Sequence, residues 1–261
     1  MLHRRRFVIR CVLASLLVLA PVLRADPLVR IGTSDWAPYV EQERGDGGAL
    51  VRLVTAVFAA AGYRAEFFFY PWDRNVLMLQ QGTLDAIMPY SCSPMRLDYG
   101  ICSDPLVRGE VVLFHRRGRV FDWTRIEDLR PYRIGTTHGY SYGPQFDRAL
   151  QDGLLEIEQH SKEDTALRLL ELGRIDLHPQ DRAVGYAMLH RLFPGERRIT
   201  HHPRYLNTEP LRLLFRRDDP AARQLLERFN TALADFARRG ELKRLQEALY
   251  SGNADHWQPK R

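Results

Sequence analysis

Four short polar segments, each following an apolar run, carry the residue types that hold a small charged molecule. They are Thr33-Ser34-Asp35-Trp36-Ala37-Pro38-Tyr39, Pro89-Tyr90-Ser91-Cys92-Ser93-Pro94-Met95-Arg96, Thr136-Thr137-His138-Gly139-Tyr140-Ser141 and His178-Pro179-Gln180-Asp181. Together they offer a guanidinium (Arg96) for a carboxylate, acids such as Asp181 for an amine, and ring faces (Trp36, Tyr90) for the remainder of a small zwitterion. This is chemistry of capture. The sequence shows no G-x-S-x-G nucleophile elbow, and Gly45-Asp46-Gly47-Gly48 lacks the spacing and the strand-to-helix context of a phosphate loop. His138, His178 and the pair His201-His202 lack a clustered third ligand, so no metal and no cofactor is expected.

These segments need a scaffold that brings them together, and the chain spells one twice. Leu77-Met78-Leu79-Gln80-Gln81-Gly82-Thr83-Leu84-Asp85 and Arg168-Leu169-Leu170-Glu171-Leu172-Gly173-Arg174-Ile175-Asp176 are each a helical apolar stripe stopped by glycine, with Asp three positions on. Glycine supplies the left-handed residue that ends a helix, and the apolar residue after it opens a buried strand. Asp85 and Asp176 therefore read as structural residues at equivalent helix-to-strand junctions, 91 positions apart. Two α/β units built alike, with a cleft between them, follow from that pairing.

The formal charge of +6 is carried mostly by the leader. Arg4, Arg5, Arg6, Arg10 and Arg24 lie in the first 25 residues, which contain no acid, and the remainder holds 33 basic against 32 acidic residues. A nucleic-acid partner is therefore not expected. The basic start, the apolar run Cys11 to Leu19 and the small-residue site before Asp26 read as a signal peptide over 1–25, cleaved after Ala25. The alternatives are an uncleaved anchor and, from Arg4-Arg5-Arg6-Phe7, a twin-arginine export signal. Export would place Cys92 and Cys102 in an oxidising space, where a disulfide is favoured over two buried thiols.

Strands are predicted at 28–32, 66–70, 86–88, 111–115, 132–135, 155–158 and 211–215, with helices near 50–61, 71–81, 144–150, 164–172, 185–192 and 221–249. A short helical piece falls at 126–129, Arg116 to Arg119 forms a charged turn that could hinge, and the polar tail from Ser251 is predicted to fray. Alternating strands and helices imply mainly parallel sheets with helices on both faces and ligands beyond the strand ends.

Ile31-Gly32-Thr33 with Trp36-Ala37-Pro38, Ser91 with Arg96, Ser103-Asp104-Pro105-Leu106, and Gly173-Arg174-Ile175-Asp176 with Gln180-Asp181 resemble the family 3 periplasmic solute-binding proteins, receptors of amino-acid ABC importers. The resemblance runs from about Leu28 to Tyr250. It implies an α/β two-lobed clamshell with two crossover strands: lobe 1 from 26–114 plus 209–252, lobe 2 from 115–208, and a flexible tail at 253–261. It further implies that Arg96, five residues after Ser91, binds an α-carboxylate, and that the Gly139-Tyr140-Ser141 turn donates backbone and hydroxyl groups. In the same way Asp181 would accept an α-ammonium and Trp36 would stack on the ligand. Tyr90 stands where the amino-acid receptors carry a small residue, and Arg182 follows Asp181.

Each role has a plainer alternative. Arg96 could pair with Asp98, Asp181 with Arg182, Ser91 could be a turn serine, and Trp36 and Trp72 could be core. The implied function is a monomeric periplasmic receptor for a polar amino acid or similar small molecule, partnered by a membrane permease or sensor and performing no chemistry. The alternative on the same fold is a cyclohexadienyl dehydratase-like enzyme, with Arg96 as clamp and Asp181 or His178 as acid.

Overall fold

The alternation in Leu28–Thr33 and the apolar stripe of Ala49–Ala60 open the first unit. The computed structural model describes residues 26–195, 198–252 and 254–259, so the leader assigned to 1–25 lies outside the described residues. The first unit runs β1 (Leu28–Thr33), α1 (Ala49–Ala60), β2 (Arg64–Phe69), α2 (Trp72–Gln80), β3 (Ala86–Tyr90), α3 (Pro94–Leu97), β4 (Gly100–Cys102) and β5 (Val107–Arg116). The second runs β6 (Ile134–Thr137), α4 (Pro144–Gln151), β7 (Ile157–His160), α5 (Glu163–Glu171), β8 (His178–Asp181) and α6 (Arg182–Leu192). The long β9 (Ile199–Arg216) follows, then α7 (Pro220–Arg238) and α8 (Glu241–Ser251).

Both units follow one plan. In the first, β1 lies parallel between β2 and β3, and β3 meets β9 antiparallel. In the second, β6 lies parallel to β7 and bridges in parallel to Leu177 at the entry of β8, while β8 meets β5 antiparallel. β5 and β9 pair with each other along most of their length and join the halves into one sheet of order β2-β1-β3-β9-β5-β8, with β4 added on β9. Their register shifts on either side of Val112. Such an irregularity bends a ladder.

The repeated phrases close identically. Gly82 N–H donates to Leu79 O and Thr83 N–H to Met78 O; Gly173 N–H donates to Leu170 O and Arg174 N–H to Leu169 O. Each is a Schellman end with its glycine at a positive φ, 73° and 72°. The Asp then clasps an arginine at the neighbouring strand, one residue before the position that pairs with the residue after the Asp (Ile31 with Ala86, Ile134 with Leu177). Asp85 accepts from Arg30 backbone N–H and from its guanidinium at 2.8 Å, and Asp176 does the same with Arg133 at 3.0 Å. A further guanidinium lies against each glycine, Arg216 on Gly82 and Arg116 on Gly173.

Three expectations are corrected. The fourth polar segment is a strand, not a loop: His178, Pro179, Gln180 and Asp181 are all buried because β8 is sandwiched between β5 and the helices. His201 and His202 do not lie in a polar connection; they belong to β9, where His202 is buried and its Nε2 meets Asp122 at 3.1 Å. The tail packs: Ala254 and Trp257 are buried, and Ala254 O accepts from Arg52 at 2.6 Å. The charged turn after Arg116 is present, but none of its residues lines the cavity described next.

Candidate functional site

A cavity of 390 Å³ opens where the two units face each other across the β5–β9 ladder. Trp36, Tyr90, Ser91, Arg96, Gly139, Ser141 and Asp181 all line it. The loop after β1 brings Trp36, the loop after β3 brings Ser91, and the single turn of α3 swings Arg96 back over that loop. Gly139 and Ser141 come from the turn after β6, and Asp181 ends β8.

Arg96 is aimed by its own loop. Its Nη1 donates to Ser91 O at 3.2 Å and to Ser91 Oγ, and the guanidinium lies 5.0 Å from the Tyr90 ring centroid. It makes no ion pair with Asp98 among the described residues. The Cys92–Cys102 disulfide, with Cα atoms 6.3 Å apart, pins this loop to β4. Burial pushes the Tyr99 phenol up, and the nearby Arg96 opposes that shift.

Asp181 is fully committed to protein donors. Oδ1 accepts from Ala183 N–H at 2.9 Å and Val184 N–H at 3.1 Å, capping α6, and Oδ2 accepts from Glu110 N–H at 3.0 Å. The Tyr39 hydroxyl donates to the pair of oxygens at 3.1 Å. Burial pushes this carboxyl up to about 6, and the donors pull it only partly back. Arg182 does not pair with it; Arg182 binds Glu110 at 2.6 Å and covers the Tyr250 ring. Ser141 is likewise engaged, its Oγ donating to Asp147 at 2.5 Å. His178, considered as an acid, is buried outside the cavity lining, hydrogen-bonded through Nδ1 to Gly135 O at 2.9 Å, and burial lowers it to about 4.

Several lining residues escape a reading of the sequence. Trp72, which reads as core, stands edge-on to Trp36 at 6.2 Å and to Tyr90 at 5.4 Å, completing an aromatic wall. Its position as first residue of a helix following β2 is the signal that places it at the strand ends. Glu209 and Asp73 add two acids. Burial pushes Glu209 up, while a hydrogen bond from Ser91 and the charge of Arg96 act against that. Two buried donors in the lining, Trp36 Nε1 and Gln180 Nε2, have no partner among the described protein atoms. Buried unpaired donors are rare and call for an acceptor.

Similarity to known proteins agrees with this architecture. No curated protein sequence matches the chain. Among solved structures, a mutant of ArgBP from T. maritima superposes with a TM-score of 0.69 at 20% identity, covering 86% of this chain and 95% of that one. A histidine kinase sensor domain with similarity to periplasmic binding proteins gives 0.72 at 21% identity, covering 87% and 97%. The amino acid ABC transporter substrate-binding protein AbpA from Streptococcus pneumoniae, bound to L-arginine, gives 0.67 at 15% identity, covering 87% and 96%. At these identities the likeness establishes the fold. Matched from residue 29 to residue 251 by the family model, the chain belongs to the bacterial extracellular solute-binding proteins, family 3.

Proposed function

We propose that this protein is a receptor that captures a small polar amino acid or a similar solute with an acidic group between its two units, performs no chemistry on it, and presents the closed form to a membrane permease or sensor. One observation carries this reading. A single cavity holds the guanidinium of Arg96 together with two buried, unpartnered donors, Trp36 Nε1 and Gln180 Nε2. The guanidinium is matched by the oxygens of a carboxylate-bearing ligand. The aromatic wall of Trp36, Trp72 and Tyr90 then covers its side chain.

The proposed lobes are 26–114 with 209–252, and 115–208, closing about the β5–β9 crossing. Location outside the cytoplasmic membrane, removal of residues 1–25, and a monomeric state belong to the same proposal. Differential affinity for the closed form drives closure. The names of the structural neighbours support a transport or sensing role, since they include an ABC-transporter substrate-binding protein and a kinase sensor domain. The dehydratase alternative is weakened by its own acids: His178 is away from the cavity, and the oxygens of Asp181 are taken.

Isothermal titration and thermal-shift measurements over amino acids, amines and small carboxylates test the proposal. Saturable binding of at least one compound that is lost in Arg96→Ala is expected. Absence of binding across the set, or binding indifferent to Arg96→Ala, overturns it.

A further inference from the structure

The cavity lining carries three acids, Asp73, Asp181 and Glu209, and one arginine, Arg96. A solute that brings only a carboxylate would answer the arginine and leave the acids uncompensated in a partly buried space. The charge count therefore calls for a positive group on the solute as well. Burial pushes the carboxyls of Asp181 and Glu209 up, and a neighbouring cation offsets that cost.

How such a cation is held follows from Asp181, the most buried of the three acids. A carboxylate has about four acceptor positions. In Asp181 they are taken by Ala183 N–H, Val184 N–H, Glu110 N–H and the Tyr39 hydroxyl. Its charge still acts on the cavity, but no position remains for an N–H of the solute while these contacts hold. Asp73, in the first turn of α2, is exposed, and Glu209 is half-buried. A charged hydrogen bond to either is weakened by water.

Aromatic faces hold a cation without hydrogen bonds. Trp36 and Trp72 stand at 88° with centroids 6.2 Å apart, and Trp72 and Tyr90 at 87° and 5.4 Å, so the lining contains two right-angled corners of rings. This wall already attracts one cation: the Arg96 guanidinium lies 5.0 Å from the Tyr90 centroid. The group that meets a carboxylate thus borders the rings that meet a positive charge. A short solute with both groups close together reaches both.

We propose that the solute is a betaine, a small carboxylate that also carries a quaternary ammonium without N–H groups, its carboxylate on Arg96 and its methylated cation against the rings of Trp36, Trp72 and Tyr90. The inference rests on the receptor reading given above and names the kind of solute. Methylation of the nitrogen removes donors that Asp181 has no position to accept and keeps the positive charge that the acids favour.

The experiment is titration calorimetry of the purified protein with glycine, proline, histidine and tryptophan, each beside its fully N-methylated form, and with tert-butylacetate. The last has the shape of glycine betaine with carbon in place of the charged nitrogen. At least one N-methylated form binds tighter than its parent amino acid, and tighter than tert-butylacetate, by about tenfold or more, the size of a desolvated cation–π contact. Trp72→Leu weakens that form by about tenfold, with its thermal midpoint reporting folding. Should Trp72→Leu not fold, the wild-type comparison decides alone. Parent amino acids that bind as tightly as their methylated forms, tert-butylacetate that matches the best of them, or unchanged affinity in folded Trp72→Leu overturns the betaine assignment and leaves the receptor reading standing. If none of these compounds binds while another carboxylate does, the assignment falls alone; if no solute of any kind binds, both fall.

Discussion

Tyr39 directs its hydroxyl at both carboxylate oxygens of Asp181, each at 3.1 Å, and so ties the loop after β1 to the start of α6. The same hydroxyl lies 3.2 Å from that of Tyr250, which donates to Arg108 O at 2.9 Å. Two tyrosines from opposite ends of the sequence therefore meet behind one buried acid of the cavity lining.

Removing the Tyr39 hydroxyl leaves a buried oxygen of Asp181 short of a donor, so Tyr39→Phe is expected to cost about 1–3 kcal/mol near neutral pH. The pH dependence follows from the sign of the shift. The folded-state value of Asp181 is raised from 3.8 to about 6, so between those values the native state binds more protons than the unfolded one. The contribution of this group is therefore full below the unfolded value and fades as pH rises through about 6. Tyr39 hydrogen bonding lowers the value, so the fading moves to higher pH in Tyr39→Phe. Thermal midpoints of both proteins across this range check it; coincident profiles contradict it.

The paired clasps are unequal. The Asp176 side chain is 6% exposed and meets both Arg119 and Arg133, whereas that of Asp85 is 30% exposed and meets Arg30. Asp176→Ala is expected to cost more than Asp85→Ala, because it takes the acceptor of two guanidinium groups and of the Arg133 N–H from a largely buried position, whereas Asp85 is half-exposed and meets one guanidinium. Burial raises Asp176, but the Arg133 hydrogen bonds and the Arg119 charge outweigh it and hold the carboxyl below its usual range. Its contribution is present above the ordinary carboxylate range and is lost as pH falls through the lowered value, opposite in direction to Asp181. Urea titrations of the two variants, near neutrality and in acid, separate the effects.

Gly82 and Gly173 combine a left-handed backbone with a guanidinium lying where a Cβ would go. Gly82→Ala and Gly173→Ala are each expected to lower stability by about 1–2 kcal/mol, with similar values because the surroundings are the same. Chemical denaturation of the single variants measures this, and a neutral result at either position would contradict the equivalence of the two ends.

Reducing the Cys92–Cys102 bridge frees a short loop. About 2–3 kcal/mol of stability is expected to go with it. The loop also carries Ser91 and the single turn that aims Arg96, so the affinity for any bound solute should fall along with stability. Cys92→Ser with Cys102→Ser, titrated beside the oxidised protein, checks both. Unchanged affinity would mean that Arg96 is held without the bridge.

The repeats were legible because each uses a local code: a periodic stripe, a glycine stop and an Asp that needs only its own strand neighbours. The loops after β1, β3 and β6 were legible for the same reason. β8 was not, since His178, Pro179, Gln180 and Asp181 are polar by type and buried only through contacts with β5 and distant helices. β9 is legible only at its apolar end; its first residues mix buried, half-buried and exposed positions without a period of two and include Pro203, so no alternation marks them. Glu209 carried no local signal whatever. Its place in the cavity is fixed by register with Gly109, a hundred residues away in the chain. Trp257 reads as tail because nothing nearby shows the core it packs into.

β9 contacts three strands, and the pairings of β3 run Ala86 with Phe215 and Ile87 with Leu214. On the ribosome, β1 to β3 emerge long before β9 does. Until it arrives, the apolar edge of β3 has no neighbour, and an unpaired edge of that kind recruits other chains. The nascent protein is thus most exposed to aggregation while the second unit is being made, and a chain stopped short of β9 would carry that open edge permanently.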